Sequence, residues 1–257
     1  MSHTPNIAMA NDNPLGLDGL EFVEFAAPEP LELDRSFRVL GFAPVARHRS
    51  KDVTLYRQGG INFVLNAEPE SFAQAYARVH GPSVCALALR VHDAREAANR
   101  AKALGADLLP GSARPGEINI PAVRSIGGSL IYLVDRYETP ESRISLYDVD
   151  FVPIRGAEPH PRGLGLTGVD HLELSVHGGR AATAAEFWER LFGFRKAEGG
   201  EFVSPCKRVR LRIGEATDAG ACHAEGFCRL ALAAPDIAAI AERSVAIGPL
   251  VIVIVQA

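Results

Sequence analysis

The chain has 257 residues, of which 47% are hydrophobic and 23% charged, and it carries a formal net charge of −4. This length is sufficient for two compact domains, each with its own core. The chain has neither a basic stripe nor a run of Lys and Arg interleaved with aromatic residues, so we expect no nucleic-acid partner. Its apolar runs are shorter than the roughly 18 residues that a membrane span requires, so we expect no membrane partner.

Residues 1–15 lack the cationic start and the apolar stretch of a secretory signal, so we predict a disordered leader and a cytoplasmic protein. The four cysteines lie at spacings unlike those of a metal knuckle. They are Cys85, Cys206, Cys222 and Cys228. We interpret them as structural thiols in a reducing compartment.

The same order of elements, a strand, a helix and three strands, recurs along the chain and predicts an α+β fold of repeated βαβββ modules. Residues 16–137 read as an N-terminal domain of two complete modules. In the second module, Asp93 suits the N-cap of a helix over 93–106, and Gly105 suits its C-terminal cap. The predicted strands lie at 19–27, 43–49, 53–58, 61–66, 83–91, 107–110, 118–123 and 129–135, and the first helix at about 30–40.

A polar segment at 138–168 contains several prolines and predicts an interdomain linker. The C-terminal domain, 169–257, contains a third module and part of a fourth, whose predicted helix over 235–248 has Pro235 in its first turn. Two strands that the pattern requires are absent from the fourth module, so we expect a truncated C-terminal half with an open face. The other predicted elements are strands at 169–176, 202–205, 208–213, 226–234 and 250–255 and a helix at 181–193.

Alternation along two of these strands predicts which side chains face the concave side of the sheet. In the strand 169–176, Leu172, Leu174 and Val176 should pack under the helix. The opposite, concave set in and after this strand is His171, Glu173, Ser175 and His177. The same alternation in the strand 226–234 places Cys228, Leu230 and Leu232 under the helix, and Arg229 and Ala231 on the concave side.

Several stretches resemble the 4-hydroxyphenylpyruvate dioxygenase family of the vicinal oxygen chelate (glyoxalase/bleomycin resistance) superfamily. They are DGLEFVEFAAPEP, VARHRSKDVTLYRQGGINFVLNAEP, GGSLIYLVDRY, GLTGVDHLELSV and FWERLFGF. Two others, HGPSVCALALRV and PGEINIPAVRSIGGSLIYLVD, are closer to the dioxygenase-like half of bacterial 3-dehydroshikimate dehydratases. The resemblance implies a metal-free N-terminal half, and Fe(II) or another divalent metal held in the C-terminal half by two histidines and one glutamate. It also implies a small 2-oxo acid or carboxylate substrate and a role in aromatic amino acid catabolism.

The resemblance places the first metal ligand at His171. At the second position this chain has Arg229, in GFCRLAL, where the family motif has a histidine. A guanidinium has no lone pair to donate, so it cannot replace an imidazole. The third ligand belongs to a strand that the fourth module lacks. Glu173, on the same face as His171, and the loop residue His223 are the alternative donors.

Arginines gather on the predicted concave face of the C-terminal half. Arg208, Arg210 and Arg212 alternate along one strand, and Arg229 lies on another. They indicate either a pocket for an anionic ligand, which bidentate arginines suit, or an open, wet face that tolerates them. We favour the open face because the absent strands predict it independently. The candidate residues for a substrate pocket are Ser175, Arg210, Arg212 and Arg229.

Three hypotheses for function follow, so whether the chain is an enzyme stays open at this point. The first is a dioxygenase in which a 2-oxo acid chelates Fe(II), and the second is a metal-dependent lyase resembling 3-dehydroshikimate dehydratase. The third is a non-catalytic binding protein that keeps the fold. The resemblance favours the first, and the ligand count favours the third. Because a symmetric dimer would cover the unpaired edge of the last strand, we expect a homo-oligomer.

Overall fold

The computed structural model describes residues 12–109, 111, 113–140, 142, 144–216 and 225–257. It is a mixed α+β structure dominated by sheet, as the sequence predicts. Among the described residues, no helix is long and apolar enough to cross a membrane. The interpretation as four repeated modules stays a prediction.

Most N-terminal strands and helices lie where the alternation and capping signals predict them. The exceptions are the strand predicted at 118–123, which lies at Ala122–Arg124, and the second helix, α2, which these signals do not predict. The strands are β1 Leu17–Ala26, β2 Ala43–His48, β3 Val53–Gln58, β4 Ile61–Asn66, β5 Ser83–Val91, β6 Leu108–Leu109, β7 Ala122–Arg124 and β8 Leu130–Val134. The helices are α1 Pro30–Val39, α2 Phe72–His80 and α3 Ala94–Ala103. The Asp93 carboxylate accepts a hydrogen bond from the Glu96 amide, which confirms the predicted N-cap.

The C-terminal elements surround one long strand, β10. They are β10 Gly168–Val176, α5 Ala181–Phe192, β11 Arg195–Lys196, β12 Phe202–Val203, β13 Arg210–Glu215, β14 Gly226–Ala234, β15 Ser244–Ile247 and β16 Leu250–Gln256. Strand β10 pairs in parallel with β13 and antiparallel with β14, and β14 pairs in parallel with β16. In the N-terminal half, β1 has the same relation to β4 and β5, and β5 to β8.

The predicted helix over 235–248 is wrong. The segment contains only a 3₁₀ turn, Ile237–Ala239, followed by strand β15. Ser244–Ile247 pairs antiparallel with β16, and Gly248 adopts a positive φ of +56° in the tight turn between the two strands. The neighbouring apolar strand therefore overrides the local helical preference of the alanine-rich stretch.

Most of the predicted linker at 138–168 packs against the N-terminal sheet. It contains helix α4 Leu146–Asp150 and strand β9 Phe151–Pro153, which pairs with β2. The predicted leader, 1–15, lies mainly outside the described residues. At its end, Leu15 is buried, and the Asn13 side chain accepts a hydrogen bond of 2.7 Å from the Leu17 amide.

The buried amide of Gln58 attaches the end of the linker to the N-terminal half. Its Nε2 donates to the Leu40 carbonyl at 2.8 Å, and its Oε1 accepts from the Leu164 amide at 2.6 Å. We expect Gln58→Ala to lower the free energy of unfolding by about 2–3 kcal/mol, because the buried Leu40 carbonyl and the partly buried Leu164 amide both lose their partner. Urea unfolding measures this loss.

The control for this prediction is Gln256→Ala. The Gln256 side chain also donates to a backbone carbonyl, that of Pro235 at 2.8 Å, but it is exposed, so water can replace the lost hydrogen bond. We therefore expect the control to change stability much less. Equal effects of the two variants would contradict the prediction.

One hydrophobic core extends through both halves of the molecule. It lies between the sheet and helices α1, α3 and α5, and it contains Phe25, Phe63, Trp188 and Leu232. A single bridge, Phe227 to Val84, joins β14 to β5 and connects the two parts of the sheet. The helix-facing side of the C-terminal strands therefore packs against a continuous apolar layer, and their concave side carries the polar residues.

Candidate functional site

His171 lies in β10 and is held between two carboxylates. Its Nδ1 is 2.6 Å from Oδ2 of Asp170, and its Nε2 is 3.5 Å from Oε1 of Glu173. Strand β10 has an irregularity between Val169 and His171, which allows adjacent side chains to meet. Both imidazole nitrogens therefore face acidic groups, and the residue itself is buried.

The arginines beside His171 are all paired with carboxylates. Arg210 forms an ion pair with Asp170, and its Nε donates to the Asp170 carbonyl at 3.1 Å. Arg212 contacts Oε1 of Glu201 at 2.6 Å. The arginine side chains on this face, including Arg229, are 42–50% exposed, so each pair contributes at most about 1 kcal/mol. Their charges are balanced without an anionic ligand.

The position of the second family ligand carries a cation. Arg229 lies opposite Glu173 across β10 and β14, and its Nε is 3.5 Å from Oε2 of Glu173. The Arg229 guanidinium is thus in contact with the Glu173 carboxylate, which would have to bind a metal together with His171. Within the described residues, no group of three or more His, Cys, Asp or Glu side chains is arranged to hold a metal ion. These donors do not fit the Fe(II) site that the resemblance implies.

The other predicted site residues are dispersed. Ser175 is buried between Gly214 of β13 and Gly226 of β14, and His223 lies outside the described residues. Arg208 does not join the arginine row, because its Nη1 contacts the Asp18 carboxylate at 2.6 Å. The structure therefore brings together His171, Glu173, Arg210, Arg212 and Arg229, whereas Arg208 contacts Asp18 instead.

Cys228 does not belong to the core cluster under the helix, where alternation predicts it. Strand β14 has an irregularity at this point: Leu174 pairs with Phe227, and Glu173 pairs with Arg229. Phe227 fills the core position instead, and Cys228 lines a small surface hollow with Tyr76. Strict alternation fails here because one extra residue is inserted in the strand.

The model of the family described as "Hydroxyphenylpyruvate dioxygenase, HPPD, N-terminal" matches residues 11–152, more than half of the chain. The chain belongs to the hydroxyphenylpyruvate dioxygenase family. It is 44% identical over 228 residues to the 4-hydroxyphenylpyruvate dioxygenase of Pseudomonas sp. (strain P.J. 874), an alignment that covers 84% of this chain and 63% of that protein. The chain thus spans less than two thirds of the length of this relative.

Two further relatives of this dioxygenase-family chain are longer than the chain itself. The 3-dehydroshikimate dehydratase of Pseudomonas aeruginosa is 43% identical over 217 residues, which cover 78% of this chain and 33% of that protein. A solved structure titled "xylose isomerase-like TIM barrel/4-hydroxyphenylpyruvate dioxygenase fusion protein" superposes with a TM-score of 0.74 at 35% identity. The superposed region covers 86% of this chain and 37% of the fusion protein. The family fold therefore occurs both in dioxygenases and within larger proteins.

The N-terminal half of this dioxygenase-family chain contains two buried carboxylates that the sequence alone does not single out as candidate site residues. Glu21 and Glu24 lie in β1 and are only 4% and 5% exposed. Their signal is present in GLEFVEFAA, where two acidic residues interrupt an apolar strand. Oε2 of Glu21 forms an ion pair with Nε of Arg90 at 2.5 Å. Glu24 differs, because its Oε1 accepts a hydrogen bond of 2.7 Å from the neutral side-chain amide of Asn66.

Burial raises the pKa of Glu24 above its ordinary value of 4.5, against the opposing effect of its hydrogen bonds with Asn66 and Tyr132. The folded state therefore favours the protonated acid, and the associated stability is lost as pH rises through the folded-state pKa. We expect Glu24→Gln, which cannot ionise, to gain stability relative to the parent chain as pH rises from 4 to 8. Urea unfolding at several pH values measures the difference. A stability difference that does not change with pH would contradict the prediction.

Proposed function

We propose that the chain is a non-catalytic member of the hydroxyphenylpyruvate dioxygenase family, which keeps the fold without turning over 4-hydroxyphenylpyruvate. The observation that carries this proposal is the contact of Arg229 with Glu173 beside His171. A metal at Nε2 of His171 would have to compete with the Arg229 guanidinium for the Glu173 carboxylate and would remain close to that positive charge. The Asp170 carboxylate already occupies Nδ1 of the same imidazole.

The competing function is the family's own chemistry in the cytoplasm: an Fe(II)-dependent oxidation of an aromatic 2-oxo acid, in aromatic amino acid catabolism. It is supported by the 44% identity to a dioxygenase. It requires that His171 and Glu173 bind the metal with other donors, such as His223 or a side chain from a second copy in a homo-oligomer. In that case Fe(II) would supply the open coordination positions for a 2-oxo acid, and Ser175, Arg210 and Arg212 would be the candidates for orienting it.

Metal analysis distinguishes these two functions. The purified chain is incubated with Fe(II) without oxygen, desalted and analysed for iron, in parallel with His171→Ala. We expect the same low iron content in both proteins and no oxygen uptake with 4-hydroxyphenylpyruvate. One iron per chain that is lost in His171→Ala, together with oxygen uptake, would establish the dioxygenase and contradict our proposal.

A second candidate enzyme is a metal-dependent lyase, which the 43% identity to a 3-dehydroshikimate dehydratase favours. A divalent ion would act there as a Lewis acid without oxygen. Incubation with 3-dehydroshikimate and Mg²⁺ or Mn²⁺, followed by ultraviolet detection of an aromatic product, tests it. We expect no product, because this activity needs the same donors that Arg229 disrupts.

A further inference from the structure

A cavity of about 150 Å³ lies in the N-terminal half, away from His171. Its floor is the concave face of the N-terminal sheet, and its cover is formed by residues 113–120 and 146–151. The apolar part of the wall is formed by Phe22, Val53, Val64, Ile118, Leu146 and Phe151, and polar side chains line the rest. A cavity of roughly this volume is large enough for a molecule the size of benzene.

The polar end of the cavity is the buried carboxyl group of Glu24. Its neighbours are the Asn66 amide, which donates at 2.7 Å, and the Tyr132 side chain, which is also hydrogen-bonded to it. Among the described residues, Glu24 has no direct ion pair with a basic side chain, in contrast to Glu21 with Arg90. Burial alone favours the protonated, uncharged form of Glu24, whereas a cation in contact with this carboxyl group would favour the ionised form and form an ion pair with it.

Carboxylates outnumber basic groups at the cavity mouth. Nζ of Lys51 is 2.7 Å from Oε2 of Glu117, so this basic group is already neutralised and attracts Glu24 only from a distance. The Asp150 carboxylate accepts a hydrogen bond from the Ile118 amide at 3.1 Å. The His48 ring packs edge-on against Phe151, and burial lowers the pKa of His48, which keeps it uncharged at neutral pH. The lining therefore has an excess of acidic groups.

We propose that this cavity binds a small organic cation, a primary ammonium group on an apolar body about the size of one ring. The ammonium group donates hydrogen bonds to the Glu24 carboxylate and provides its missing counter-charge. The body packs against Phe22 and Phe151, whose rings also favour a nearby cation. This inference is independent of the proposed function, because it uses no residue of the C-terminal strands.

Three probes of the same shape test the charge preference on the full chain at neutral pH. They are benzylamine, which is then a cation, benzyl alcohol, which is neutral, and benzoate, an anion. Binding is followed by calorimetry and by the shifts of nuclear magnetic resonance signals on titration. We expect saturable binding of benzylamine, affinity about tenfold lower for benzyl alcohol, and no saturation with benzoate. Equal affinity for benzoate, or no saturable binding of benzylamine, would overturn the proposal.

A matched pair of variants tests the role of Glu24. Glu24→Gln keeps the shape and a hydrogen-bonding group, and Glu21→Gln is its control, since Glu21 is equally buried in the same strand but paired with Arg90. We expect Glu24→Gln to weaken benzylamine binding about tenfold while benzyl alcohol binding changes little. Glu21→Gln should leave both affinities unchanged. Equal losses in the two variants would refute the assignment, and if Glu24→Gln fails to fold, the ranking of the three probes on the parent chain decides.

Discussion

Arg229→His is expected to create a divalent-metal site, with an affinity for Co(II) about 100-fold above that of the parent chain, which corresponds to about 2.7 kcal/mol. The substitution removes the guanidinium that contacts Glu173 and places an imidazole on β14 directly opposite it. With His171 and Glu173, whose Nε2 and Oε1 atoms are 3.5 Å apart, the new side chain would complete two histidines and one carboxylate. Calorimetry and the visible absorption of bound Co(II) measure the gain.

Arg229→Gln is the matched control, because it removes the positive charge without adding a strong metal donor. It should increase the Co(II) affinity much less than Arg229→His. The double variant His171→Ala, Arg229→His should lose the gain. If the Gln and His variants bind Co(II) equally, the effect comes from charge alone and the inferred geometry of the site is wrong.

Trp188→Ala should lower the free energy of unfolding by about 3–5 kcal/mol. The indole is fully buried in α5, and its ring centroid lies 5.1 Å from those of Phe192 and Phe194. Removal of the ring leaves a large cavity behind β10, the strand that carries His171. Urea unfolding followed by circular dichroism measures the loss, since the chain has only one tryptophan for fluorescence.

Trp188→Phe keeps an aromatic ring but removes part of its volume together with the indole N–H. Nε1 of Trp188 is buried and has no hydrogen-bond partner among the described residues. Phenylalanine therefore removes part of the volume without breaking a hydrogen bond to them, and we expect a loss of only about 1–2 kcal/mol. A loss as large as that of Trp188→Ala would contradict this account of the core.

The elements that could be predicted are those that local sequence specifies. Helix α3 begins at a capping aspartate, and strand β5 is an apolar run whose side chains are almost all buried. Helix α2 escapes prediction although its signal is present. The Ser71 side chain caps the Gln74 amide, and Ala73 and Ala77 line its buried face one turn apart. The polar residues just before this helix look like the loop that ends a βαβββ module, so they do not indicate that a helix begins there.

Non-local pairing explains the errors at the C-terminal strands and at the site. Residues 244–247 form a strand because β16 is available as a partner, which local preference cannot reveal. The position of His171 on β10 is predictable from alternation. Its contact with Asp170 is not, because neighbours on a regular strand face opposite sides and only the irregularity in β10 brings them together. The contact of Arg229 with Glu173 depends in the same way on cross-strand register.

The core shared by both halves limits which parts of the chain can be lost during evolution. Phe227 from the C-terminal half packs in the same cluster as Val84 from the N-terminal half, and their strands are joined by a backbone bridge. If either half were removed, the other would present a large apolar surface to water. Selection for folding alone is therefore sufficient to keep the C-terminal strands, whatever chemistry their polar face performs.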